Sequence, residues 1–86
     1  MTMTNHFIHV TGVVPVADYK LKLTFENGEK KIFDVRPLLT QRPWVSLKDL
    51  DLFMKAKVLG CSVAWDIETD IAPEILYENS VPEVVL

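Results

Sequence analysis

Positive charge is missing from the last third of this chain: no lysine or arginine follows Lys57, while residues 58–86 carry six acids. All nine basic residues fall between Lys20 and Lys57, so the first 57 residues sum to +3 and the remainder to −6. Such an asymmetry can mark nucleic-acid contact by the basic part. The whole chain is acidic and repels phosphate at long range, so neutralisation of one part by the other, within the fold or across a dimer, is the better account. Cysteine is equally scarce. Cys61 stands alone, which excludes an internal disulfide framework, and on a strand it reads as a small buried hydrophobe rather than a reactive thiol. No apolar run approaches the roughly 20 residues of a membrane span, and no basic stretch leads into an apolar one with a cleavage site. The expectation is a soluble, cytoplasmic protein with no membrane partner.

Catalytic chemistry is thin for the same kind of reason. Three scattered glycines cannot build a phosphate-cradling loop, and neither Ser46 nor Ser80 has the glycine flanks of a hydrolase nucleophile. His6 and His9, three apart on a strand, point to opposite faces with no Cys or His cluster nearby. Asp66, Glu68 and Asp70 have the spacing that opens a calcium loop, but Ile71 and Tyr77 stand where that loop needs Gly and Glu. No enzyme, cofactor or metal is therefore expected; a small-ligand or enzymatic role would rest on the Asp66, Glu68 and Asp70 region alone.

What is abundant is apolar surface. Hydrophobic residues make up 49% of an 86-residue chain. A chain of this length forms one domain, residues 1–86, and buries only about 60 to 65% of its unfolded surface, so the excess favours self-association.

The chain is organised around residues 18–35. Tyr19, Leu21, Leu23 and Phe25 alternate with Lys20, Lys22, Thr24 and Glu26, the period of a strand with one buried and one wet face. A two-residue loop at Asn27-Gly28 would set Leu21 opposite Asp34. A three-residue loop, Glu26-Asn27-Gly28 with Gly28 left-handed, sets Leu21 opposite Phe33, Tyr19 opposite Val35 and Lys20 opposite Asp34, which keeps the apolar set together. Residues 7–16 precede this hairpin as a strand, with Ile8, Val10 and Val14 on one side and Phe7, His9, Thr11 and Val13 on the other. Gly12 marks a bulge or bend, and Pro15 an end or an edge. The three segments make an antiparallel meander.

Pro37 opens a short helical turn over residues 37–40. Ser46 offers an N-cap for a helix over residues 46–55, whose Leu47, Leu50, Phe53 and Met54 form an apolar stripe across the meander. Strand character returns over residues 58–67, with Cys61, Val63, Trp65 and Ile67 on one face, Ser62, Ala64 and Asp66 on the other, and Gly60 as a hairpin or bulge. Pro73 begins a second short helix over residues 73–78, packed through Ile71, Ile75 and Leu76. The fold class is α+β: an antiparallel sheet begun by a three-stranded meander, packed by one amphipathic helix, with a second short helix near the C-terminus.

Asp18-Tyr19, Leu21, Phe25, Gly28, Asp34, the helix ending in Phe53, Trp65 and the segment Asp70-Ile71-Ala72-Pro73-Glu74-Ile75-Leu76-Tyr77 together resemble the bacterial domain-of-unknown-function family 2442 over residues 10–79. Residues 1–6 and 80–86 are then terminal extensions. Many relatives carry a glycine between the tryptophan and the aspartate, where this chain has Asp66-Ile67-Glu68-Thr69. The resemblance implies a small α+β domain and brings no catalytic residue. Some members are similar to the amino-terminal half of a two-domain protein ending in a helix-turn-helix; others are encoded beside a second small protein. The resemblance thus implies regulation or a toxin–antitoxin-like pairing.

The expected function is a non-enzymatic binding or regulatory module that contacts a protein partner or a second copy of itself. Trp44, in a loop between Pro43 and Val45, and the apolar tail Val84, Val85 and Leu86 are the candidate contacts, the tail by adding to a sheet edge. A nucleic-acid accessory role would use Lys20, Lys22, Lys30 and Lys31 on the wet face of the hairpin. That patch lacks interleaved aromatics and has Glu26, Glu29 and Asp34 among it.

Overall fold

The structure, a computed structural model, describes residues 8–66 and 68–83. It is α+β, with seven antiparallel strands in two sheets among the described residues. Strands β1 (Val10–Val16), β2 (Lys20–Phe25) and β3 (Lys30–Asp34) form the expected meander, and a late two-residue strand, β7 (Val81–Pro82), completes a sheet of order β1-β2-β3-β7. The second sheet contains β4 (Lys57–Leu59), β5 (Ser62–Asp66) and β6 (Thr69–Ile71). Residues 1–6, Phe7, Ile67 and the tail of Val84, Val85 and Leu86 lie outside the described residues, and so do the expectations attached to them.

The parity argument for the hairpin holds. Lys20 pairs with Asp34 and Leu21 with Phe33. The Phe25 N–H donates to the Glu29 carbonyl and the Gly28 N–H to the Phe25 carbonyl, both at 2.9 Å, closing a three-residue loop with Gly28 at φ 89°. Asn27 Oδ1 accepts the Glu29 N–H at 3.0 Å and stiffens the turn. One face then buries Leu21, Leu23, Phe25, Phe33 and Val35.

The first strand departs from simple alternation. Its register shifts between Val10 and Gly12, so Val10 faces Phe25 and Val13 faces Leu23, while Val14 falls opposite Lys22 on the outer side. Gly12 does mark a bulge, but the bulge reverses the parity expected for Val13 and Val14, because one extra residue flips everything after it. Pro15 lies opposite Leu21 on an edge strand. Pro82, opposite Lys31, occupies the equivalent position on the other edge. Proline has no N–H to give a ladder, so both edges carry a blocked donor position.

The expected helix over residues 46–55 is broken in two. A 3-10 helix, Trp44–Lys48, ends at Asp49, whose extended backbone restarts the chain as a one-turn helix, α1 (Leu50–Phe53). Asp49, not Ser46, is the N-cap; its carboxylate accepts the Asp51 N–H at 3.1 Å. The break rotates the stripe: Leu47 and Phe53 are fully buried, whereas Leu50 and Met54 are 38% and 44% exposed. Phe53 receives the ring of Tyr19 edge-on at 5.2 Å, and the Trp65 indole N–H donates to its carbonyl at 2.8 Å.

Gly60, at φ 65°, turns β4 into β5 as a hairpin. Both sides of β5 are covered, so Ala64 is buried as well as Val63 and Trp65. Thr69, Asp70 and Ile71 form a strand rather than a lead-in to the helix, which places Ile71 in the core through the sheet. Helix α2 (Pro73–Asn79) starts on Pro73 as expected and packs through Leu76, leaving Ile75 45% exposed. The two sheets meet where the Val10 N–H donates to the Cys61 carbonyl at 3.0 Å.

Candidate functional site

With one face of the four-stranded sheet buried, alternation sends the other residues of each strand outward. The registers align them in rows across the sheet. The central row runs Val14, Lys22, Ile32, Val81, one residue from each strand. On one side lies Gly12, Thr24, Lys30; on the other, Val16, Lys20, Asp34. Val14 and Val81 are 58% and 61% exposed. A shallow groove of about 390 Å³ crosses this face, lined by Gly12, Val14, Lys22, Thr24, Lys30 and Glu83. At Gly12 an added Cβ would rest against Thr24, 3.5 Å from its Cβ and 3.7 Å from its Oγ1, an ordinary contact, so the groove's floor there is low for want of a side chain.

Three of the four lysines expected on the wet face are there. Lys31 is not: it pairs across from Leu23 and therefore belongs to the inner side. Its ammonium sits 3.9 Å from the centre of the Tyr77 ring and donates to the Tyr77 carbonyl at 2.8 Å, so it pins α2 to β3. Of the outward three, Lys22 lies 3.8 Å from the Glu83 carboxylate and Lys20 3.7 Å from Asp18. The Arg36 guanidinium grips both oxygens of Asp34 and holds that carboxyl below its usual range. The face thus has a middle row of three aliphatics interrupted by Lys22 and flanks of mixed charge.

A second cavity, about 330 Å³, lies between β3 and α2 and is lined by Phe33, Asp34, Pro37, Leu38, Ile75 and Asn79. Its one carboxylate is committed to Arg36, and the Asn79 amide donates to the Ile75 carbonyl at 2.9 Å. Nearby, the Tyr77 hydroxyl donates to Glu29, which also accepts from Asn27 at 2.7 Å. That bond draws the Glu29 carboxyl below its ordinary value and pushes the Tyr77 hydroxyl up. The network ties the hairpin tip to α2; it presents no activated nucleophile.

Trp44 is half-buried against the core, and its indole N–H donates to the Asp70 carbonyl at 3.0 Å, capping the edge of β6. Asp66, Glu68 and Asp70 are exposed, and Asp66 Oδ1 accepts the Glu68 N–H at 2.9 Å as a turn would. Neither cavity touches them. Among the described residues no group of three or more His, Cys, Asp or Glu could hold a metal, and no helix is long and apolar enough to cross a membrane. Sequence reasoning passed over Val14, Ile32 and Val81. The preferred hairpin register already implied an outward Ile32, opposite Lys22; the other two depended on the bulge at Gly12 and on β7.

Among known proteins, the family model described as "Protein of unknown function (DUF2442)" matches residues 10–82. No curated protein and no solved structure matches the chain. The chain belongs to the DUF2442 family.

Proposed function

We propose that this DUF2442 domain is a non-enzymatic binding module that acts through protein–protein contacts on the outer face of its four-stranded sheet. One observation carries the reading: three aliphatic side chains, the exposed Val14 and Val81 and the half-buried Ile32, share a single row with Lys22 on the outer face. Isolated exposed aliphatics are ordinary, but an aligned set spanning a sheet is surface a partner would cover. The flanking charges supply a polar rim, the usual anatomy of a protein contact. A module that works by contact alone fits one half of a small regulatory pair, in which occupancy of the face is the signal.

The test is a titration of the purified chain with proteins it retains from its native host, repeated with Val14→Asp and with Ile75→Asp. Loss of at least about tenfold in affinity for Val14→Asp only, with both variants folded, supports the reading. Loss only with Ile75→Asp moves function to the cleft beside α2, and undiminished binding by both variants removes it from either place. Nucleic-acid binding predicts a different signature, retention on DNA or RNA that falls steeply with salt and with Lys20, Lys22 and Lys30 replaced.

A further inference from the structure

The outward residues of this sheet are complementary to themselves. Along β3 they read Lys30, Ile32, Asp34: cation, aliphatic, anion. Along β1 they read Gly12, Val14, Val16: gap, aliphatic, aliphatic. We infer that the partner of this face is a second copy of the chain, stacked sheet to sheet about a two-fold axis that runs along the Val14–Lys22–Ile32–Val81 row. The inference rests on the functional reading above and names the partner.

Such an axis superposes the central row on itself and exchanges the two flanking rows. Ile32 then meets Ile32 of the other copy, and likewise Val14 and Val81. Lys30 of each copy comes over Asp34 of the other, twice by symmetry. Val16 of each comes over the space that Gly12 leaves, again twice. The one like-charge contact, Lys22 on Lys22, is relieved within each chain by Glu83, 3.8 Å from its ammonium. Extension through the edges is disfavoured, because Pro15 and Pro82 block both and the start of β1 is engaged by Cys61. Three strands of five to seven residues and a fourth of two, about 4.8 Å apart, give a footprint of roughly 300 Å² per copy. That is less than a stable specific interface buries, so the pair is a weak, reversible dimer.

The experiment is sedimentation equilibrium on the full chain up to about 1 mM, with Lys30→Asp, with Asp34→Lys, and with the two variants mixed. The wild type is expected to approach twice its 9.8 kDa. Each variant alone sets like charges against each other at both symmetry-related contacts and should associate about tenfold more weakly. Mixed in equal amounts they restore two opposite-charge pairs, and the heterodimer should match the wild type. A wild type that stays monomeric, variants that self-associate as well as it does, or a mixture no better than its components overturns the inference. If Asp34→Lys melts early for want of its Arg36 contact, Ile32→Cys in a Cys61→Ser background replaces it. A short bismaleimide should then link two copies through the axis, and no more linkage at Ile32→Cys than at Ile75→Cys overturns the inference equally. A monomer that still loses a different protein on Val14→Asp defeats the self-pairing alone; a monomer indifferent at this face defeats both readings.

Discussion

The two faces of the four-stranded sheet carry aliphatic residues for different reasons. On the inner face, Leu21, Leu23, Phe25, Phe33 and Val35 are almost completely buried against Leu47, Phe53, Trp65 and Leu76. Each removes apolar area from water at about 25 cal/mol per Å² and fills space that nothing else fills. On the outer face, Val14, Ile32 and Val81 occupy positions where a threonine or lysine would serve the fold as well, as Thr24 and Lys22 do beside them. The inner set is what makes the domain fold. The outer set is less enclosed, with Val14 and Val81 exposed and Ile32 half-buried, and that contrast is the reason for proposing a partner for it.

The contrast breaks first if substitutions on the two sides cost the same. Phe53→Ala removes a fully buried ring that touches Tyr19 and Trp65, and should cost about 3 to 5 kcal/mol in urea unfolding. Ile32→Asp, placed opposite Lys22, should cost about 1 kcal/mol or less. Trp65→Phe is the next largest. It shrinks a buried side chain and strands the Phe53 carbonyl in the core without its 2.8 Å donor, a loss of about 1 to 3 kcal/mol.

Two glycines sharpen the comparison. Gly28→Ala forces a Cβ into a left-handed turn at φ 89° and should destabilise by about 1 to 2 kcal/mol. Gly12→Ala meets only an ordinary 3.5 Å contact with Thr24 and should change stability by less than about 0.5 kcal/mol. It partly fills the outer groove all the same, so it should weaken association while leaving the melting temperature in place.

The smallest effects come from titration. Asp34 has its pKa lowered chiefly by Arg36, so its contribution is present above the ordinary carboxylate range and is lost as pH falls through the still lower folded value. Arg36→Ala should flatten that acid limb of a stability–pH curve. The Glu29–Tyr77 bond behaves as a window. Glu29, lowered first by Tyr77, loses its contribution toward acid pH; Tyr77, raised first by Glu29, keeps its contribution below about pH 10 and loses it as pH rises through its folded value. Tyr77→Phe should remove the alkaline limb and shrink the acid one, which the Asn27 amide still supports.

Much of the inner face was legible in the sequence, because burial imposes a period that the residues must obey. The register of β2 on β3 followed from refusing to put Asp34 beside Leu21. Less was legible where a single residue resets the count. The bulge before Gly12 turned Val14 outward, and Asp49 divided the helix because its carboxylate caps a new turn more effectively than Ser46 caps a longer one. The three-residue strand Thr69–Ile71 gave no period long enough to read, and its pairing to β5 is a tertiary fact. Lys31 was readable and was overlooked: the register that set Leu21 against Phe33 also set Leu23 against Lys31. The outer row depended on β7, a pair of residues distant in sequence from the strand it joins, so no local signal pointed to it.

The central claim is that the outer row is an association surface with no role in folding. It is tested most directly by amide chemical shifts of the uniformly labelled chain followed through dilution. The account predicts concentration-dependent shifts confined to Gly12, Val14, Lys22, Lys30, Ile32 and Val81 and their strand neighbours, with the signals of Leu47, Phe53 and Ile75 unmoved. Shifts centred on Ile75, or on Leu50 and Met54, would contradict it, as would a spectrum that does not change with concentration or with any added host protein.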